Sequence, residues 1–279
     1  MTKEEVFYWP LWLSKLLSKK EQIKVKKILP KLQRAQIFLW RALNIYDDIY
    51  DDEGGRLDLP MANKYFRKYL EIVYRLNLSP NYYSSLEKTF NNLDRANSNE
   101  LLQKRLKIKN GIINIASKIP PRNKLKNLSN KSLALAFAPL ALFDYLSFEK
   151  HRVRTRAALN FFRYALAAKQ LADDSQNWLE DLKNGLITNA NRPIVMAARK
   201  KRLKLKLSKS PLILNLLYAQ IAAPIIISDL KRLCALAETN LSRIKHKPKN
   251  MLINRLIKPI KDSTLKAEKF RAQVLEVSK

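Results

Sequence analysis

The sequence predicts an all-α fold, a helical bundle forming a single domain over residues 1–279. Three observations carry this. Glycine is scarce, with 4 in 279 residues, and sheet proteins need it in tight turns and bulges where helix bundles do not. Hydrophobic residues make up 47% of the chain, enough for a core at this length. Prolines and glycines sit where helical periodicity starts and stops. No repeat, linker or composition shift marks a second domain.

Taken in order, Lys31 to Glu53 reads as a long periodic helix closed by Gly54-Gly55. Met61 to Asn77 follows Pro60. Asn81 to Lys118 is polar and helical, with breaks near Ser98 and Gly111. Pro120-Pro121 opens a basic loop. Asn130 to Ser147 is an apolar helix containing Pro139, and Thr155 to Asn184 is a long one closed by Gly185. Pro193 begins the next segment. In Leu203 to Ser208, Lys and Leu alternate; we expect an amphipathic or extended connector, a short strand being the alternative. Pro211 to Lys245 and Asn250 to Val277 complete the bundle. The most apolar window, Pro211 to Leu230, contains Asn215, Gln220 and Pro224, so it reads as a buried bundle helix and not as a membrane span.

The formal net charge is +30. Either an anionic partner or a lysine-rich solvated surface would produce it. The basic residues are spread along the whole chain, with no block of Arg and Lys interleaved with stacking aromatics. Nucleic acid is therefore not the expected partner. Cys234 is the only cysteine, which excludes an internal disulfide. His151 and His246 lie far apart in basic loops and do not suggest a zinc site. The N-terminus begins with acids and a short apolar stretch interrupted by Pro10, unlike a signal peptide. The expected compartment is the cytoplasm, with peripheral membrane contact left open.

The acids are concentrated. Of 24, nine fall within the windows 47–53 and 173–181, where an even spread would place one or two. On a helix, Asp47 stacks on Asp51 and Asp48 on Asp52; Asp173, Asn177 and Asp181 form a ladder at i, i+4 and i+8. Both windows read as the last turns of helices that end before glycine. There the macrodipole disfavours each carboxylate by roughly 0.3–1 kcal/mol. A bound cation reverses that sign. An EF-hand is excluded, since Ile49 or Tyr50 would stand where its loop requires a third-position ligand. Magnesium suits the pattern: it takes hard oxygen ligands and is usually held by one or two carboxylates together with substrate phosphates.

The stretch Asn44-Ile45-Tyr46-Asp47-Asp48-Ile49-Tyr50-Asp51-Asp52 resembles the first aspartate-rich motif, DDxxD, of the class I isoprenoid synthase superfamily. Gln170-Leu171-Ala172-Asp173-Asp174-Ser175-Gln176-Asn177 resembles the second motif of polyprenyl synthases, with Asn177 in place of the final Asp. Read on to Glu180-Asp181 and Gly185, it also resembles the second motif of squalene and phytoene synthases. Lys131-Ser132 is similar to the Lys-Thr pair that contacts diphosphate in polyprenyl synthases. The resemblance covers about half the chain, Asn44 to Gly185.

It implies a helical bundle of the isoprenoid synthase type and Mg²⁺-assisted ionisation of an allylic prenyl diphosphate. Under it, Asp47, Asp48 and Asp51 hold one side of the metal cluster, and Asp173, Asn177 and Asp181 the other, with Asp174 holding metal or orienting a lysine. Lys131 contacts the diphosphate and Gln170 gives a supporting hydrogen bond. Tyr46, Leu43, Phe137 and Phe162 line the dry, π-rich cavity that a carbocation requires. The reaction is head-to-tail elongation or head-to-head condensation, with cyclisation, or binding without turnover, as the alternative. The isopentenyl-diphosphate signature is missing, which speaks against elongation; the Lys-Ser pair speaks for it. The superfamily commonly forms homodimers, and the resemblance extends that expectation here.

Overall fold

Every backbone N–H and C=O taken out of water needs a partner, and the chain meets this requirement almost entirely with helices. The computed structural model describes residues 3–50, 54–101, 106–109, 112–114, 119, 121–201, 205–206, 211–244 and 251–276. Its helices are α1 (Lys3–Phe7), α2 (Trp9–Ser14), α3 (Lys19–Val25), α4 (Leu29–Tyr50), α5 (Leu59–Tyr74), α6 (Pro80–Leu101), α7 (Phe137–Gln176), α8 (Trp178–Lys183), α9 (Arg192–Lys200), α10 (Pro211–Leu217), α11 (Ala223–Ser242) and α12 (Lys258–Glu276). The expected all-α character holds.

Contacts gather the chain into two compact units. The first comprises Met1–Leu101, Ser129–Arg163 and Ala237–Arg255; the second comprises Leu102–Leu128, Tyr164–Leu236 and Leu256–Lys279.

In the first unit, α5 packs along α4. Phe38 stacks on Tyr65 at 6.0 Å, and the Arg41 guanidinium lies 5.2 Å from the same Tyr65 ring. Helices α1 and α2 also pack on α4, burying Trp9, Leu13 and Leu17 with Leu32, Ala35 and Leu39. The start of α6 is anchored by Asp144 of α7: its carboxylate accepts from the Ser79 N–H and the Ser79 hydroxyl, both at 2.6 Å.

Several expected boundaries move. The apolar helix begins at Phe137 and not at Asn130. Leu133–Ala136 forms a 3₁₀ turn, with Ser132 donating to Ser129 O and Leu135 to Ser132 O. Ser147, at φ 144°, divides α7, so the second stretch starts ahead of Thr155 and contains His151, which is helical and not in a loop. His246 lies outside the described residues.

Glu21 opens α3 in a capping box. Its N–H donates to the Ser18 hydroxyl, and its carboxylate accepts the Ser18 N–H at 2.7 Å. The same carboxylate accepts from Arg154 at 2.8 Å. Burial pushes Glu21 up, but the hydrogen bonds from Arg154 and Ser18 and the guanidinium charge outweigh it and bring the carboxyl from 4.5 down to about 2. Burial, with Arg154's charge behind it, lowers His151 below 6.5. Both shifts make acid destabilising. Stability should be full above pH 6.5 and begin to fall below it as the unfolded chain takes up the proton that folded His151 refuses. Below 4.5 it should fall further, toward 2, as Glu21 is protonated. Glu21's part is worth about 1–2 kcal/mol once the solvent that reaches it is allowed for. Thermal unfolding followed by circular dichroism across this range should show both limbs. In Glu21→Gln the melting point should drop at pH 7 and the lower limb should flatten; an unchanged lower limb would remove Glu21 from the account.

In the second unit, residues expected to be helical form a small antiparallel sheet. β1 (Lys107–Lys109) pairs with β2 (Ile112–Asn114), which pairs with β3 (Leu205–Lys206). The expected helical stretch Asn81 to Lys118, with its break near Gly111, gives way to strands on both sides of that break, and at 205–206 the alternative of a short strand replaces the expected connector. Lys-Ile-Lys alternates with period two, and Asn110-Gly111 is the strongest short hairpin signal in any sequence.

The long stretch from Pro211 is helical throughout, with a π turn at Tyr218–Ala222 between α10 and α11. Arg271 of α12 donates to Ala219 O within that turn at 2.8 Å, meeting a carbonyl whose helical pairing the wider turn disturbs. Cys234 is buried.

Candidate functional site

Asp47 and Asp48 occupy the last turn of α4, where no basic residue stands. Both are exposed. The Gly54 N–H donates to Asp48 O at 2.7 Å. A side chain at Gly54 would place its Cβ 3.0 Å from both the Asp48 carbonyl carbon and the Ile49 nitrogen. Only glycine lets the backbone approach this closely. Gly54→Ala should therefore cost about 1–3 kcal/mol by forcing the turn open, seen as a lower urea midpoint; an unchanged midpoint would show that the turn yields freely.

Tyr46 points toward α5, its hydroxyl donating to Asn63 Oδ1 at 2.7 Å. Burial raises its pKa, with Tyr50 adding to the effect. Leu43 is half-buried one turn earlier. Asp51, expected as the third acid of this motif, lies outside the described residues, as do Asp52 and Glu53.

The second motif ends α7. Asp173 and Asp174 are half-buried in its last turn, again without a basic residue in that turn. Each has a partner one turn earlier. Lys169 Nζ lies 2.9 Å from Asp173 Oδ2, and Gln170 Nε2 donates to Asp174 Oδ1 at 2.8 Å. Gln170 thus supports the motif through Asp174.

The expected unbroken helix to Asn184 is two helices with Asn177 at the junction. The ladder's spacing survives: Asn177 N–H donates to Asp173 O at 3.1 Å, and Asp181 N–H to Asn177 O at 2.9 Å. Glu180 and Asp181 stand in the first turn of α8, where the dipole favours carboxylates, so the penalty argued for the whole window applies to Asp173 and Asp174 only. Gly185, at φ 74°, closes the segment in the left-handed region.

Two aromatic neighbours of this motif escaped the sequence reading. Trp178 follows Asn177 directly, is buried, and stacks on Tyr218 at 4.6 Å and 19°. The Tyr218 hydroxyl lies 3.5 Å from Ser175 O. Burial, with Asp174's charge adding to it, pushes Tyr218 up to about 12. Trp178 was visible as the next residue of the motif, whereas nothing in the sequence joins Tyr218 to it, because the π turn that carries Tyr218 has no simple sequence signature.

The remaining expected residues belong to the first unit. Lys131 sits half-buried in the turn before α7's approach. Phe137 is buried with the edge of Tyr82 at 5.6 Å, and Tyr82 donates to its carbonyl at 2.9 Å. Phe162 is fully buried between Trp9, at 5.1 Å, and Phe161, at 5.2 Å.

Among the described residues, no three His, Cys, Asp or Glu side chains converge as a metal-binding group. The acids stand in pairs, Asp47 with Asp48 and Asp173 with Asp174. Paired carboxylates fit the way Mg²⁺ is held when phosphate oxygens and waters complete its shell. No protein-family model matches this chain, and no curated protein is similar to it in sequence.

Proposed function

We propose that the chain is a Mg²⁺-dependent isoprenoid synthase that ionises an allylic prenyl diphosphate. The observation that supports it best is electrostatic. In a chain of net charge +30, two aspartate pairs stand in the C-terminal turns of long helices, where the helix dipole opposes them. A sequence shaped by stability alone would put lysine there. The order and separation of the pairs match the two aspartate-rich motifs of the superfamily.

When bound, Mg²⁺ neutralises the charge that builds on a departing diphosphate. Asp47 and Asp48 would hold it on one motif. Asp173 would do so on the other, with its oxygen exchanged from Lys169. Gln170 fixes the rotamer of Asp174, and Lys131 is the residue assigned to the diphosphate itself. Trp178 and Tyr218 give the second motif a polarisable floor suited to a neighbouring cation.

Purified protein should release diphosphate from geranyl, farnesyl or geranylgeranyl diphosphate with magnesium and not with EDTA. Dependence on isopentenyl diphosphate would assign elongation; its absence would assign condensation or cyclisation. Magnesium-dependent binding without release would replace the enzyme by a binding protein, and no binding at all would end the diphosphate reading.

A further inference from the structure

The helical stretch Ile213–Ser242 is long and apolar enough to cross a membrane by length and composition, yet only 39% of its most apolar 18 residues is buried. Its inner side is clear: Leu214, Ala219, Ala222, Ile226 and Leu230 are buried. The outer side of a helix packed on a water-soluble core should be polar. Here it is not. Ile213 is 43% and Ile225 39% exposed, and Leu217 and Ile221 between them are half-buried. These four recur once per turn over about 18 Å. Gln220 is the exposed polar residue along this stretch, and beyond Ile225 the outer side is polar at Ser228, Lys231 and Arg232, with Lys231 paired to Glu268 of α12 at 2.7 Å.

The sequence that leads into this stripe carries charge of one sign. No acid occurs from Leu182 to Ser228. Of the basic residues ahead of the helix, Arg199, Lys200 and Lys201 close α9 and are exposed. Helix α9 packs against the π turn, and it too exposes an apolar residue beside cations: Met196 is 38% exposed, and Arg199 and Lys200 are exposed.

We propose that this face of the second unit is a peripheral docking surface for an anionic lipid bilayer. The isoleucine stripe enters the acyl boundary while the basic residues meet phosphate headgroups, the division of labour of an interfacial helix. A second copy of the chain would also cover an apolar stripe, but it would set +30 against +30; the bilayer brings the opposite sign. The proposal rests on exposure and charge alone, so it stands or falls independently of the catalytic reading.

The full chain should be sedimented with vesicles of mixed phosphatidylcholine and phosphatidylglycerol, and with vesicles of phosphatidylcholine alone. Binding is expected only to the anionic vesicles, and high salt should release it. Ile213→Asp combined with Ile225→Asp should weaken it at least about tenfold through lost apolar burial. Arg199→Glu with Lys200→Glu should weaken it by charge. Both variants should keep the wild-type circular dichroism; the isoleucine variant should melt somewhat lower, because more than half of each isoleucine is buried. Four results would overturn the proposal: no sedimentation with anionic vesicles, undiminished binding by the folded isoleucine variant, salt-resistant association released only by detergent, as a spanning helix would give, or a solution dimer that the isoleucine substitutions dissociate.

Discussion

Asp48→Ala and Asp174→Ala are each expected to lower magnesium-dependent diphosphate release at least about a hundredfold, the loss that follows when a preorganised group facing developing charge is removed. Stability should move the other way. Asp48 stands in the last turn of α4 with no basic residue in that turn, so the alanine variant escapes a dipole penalty of roughly 0.3–1 kcal/mol. A lower rate together with an equal or higher melting point is the signature of a group kept for function. Asp174 differs, because Gln170 donates to it at 2.8 Å; there the alanine variant loses a hydrogen bond and its stability should change little. If either variant releases diphosphate at the wild-type rate, its motif has no part in the chemistry. If Asp48→Ala loses both activity and stability, the carboxylate is structural.

Phe162→Ala carries the largest expected effect on folding, about 3–5 kcal/mol. The ring is fully buried between Trp9 and Phe161, and its removal leaves a void that the rigid indole of Trp9 cannot fill. Urea unfolding should show a midpoint shift at constant slope. The sequence reading assigned this ring to a substrate cavity, and the two roles give different results. A cavity-lining ring, once truncated, changes which prenyl chain is accepted and leaves the urea midpoint nearly unmoved. A core ring moves the midpoint and leaves chain-length preference alone.

Local chemistry explains what was legible in the sequence. Scarce glycine and 3.6-residue periodicity were enough for the all-α class, because both depend on backbone preference and not on partners. Helix ends could be read where one residue type answers one geometric need: Gly54 at a close backbone approach and Gly185 at positive φ. The carboxylate pairs were legible too, since Asp47-Asp48 and Asp173-Asp174 are consecutive in the sequence. The β1–β2 hairpin is also written locally, in Lys107-Ile108-Lys109-Asn110-Gly111, where the expected helical stretch has its break.

What lay beyond the sequence depends on groups distant along the chain. The bond of Glu21 to Arg154, the seat of Asp144 on Ser79 and the stack of Trp178 on Tyr218 each join residues tens of positions apart, and no periodicity encodes such pairings. The same holds for the outer face of Ile213–Ser242. Its apolar composition was plain and was read as burial, but burial is a property of the neighbours a helix finds. Only the tertiary structure shows that the inner side found them and that Ile213 and Ile225 did not. Sequence by itself therefore determined the class of the fold and the local grouping of the acids, through short-range sterics and charge. Tertiary structure decided which aromatic rings are core, which acids have partners and which apolar face stays open, because those depend on contacts the chain makes only once folded.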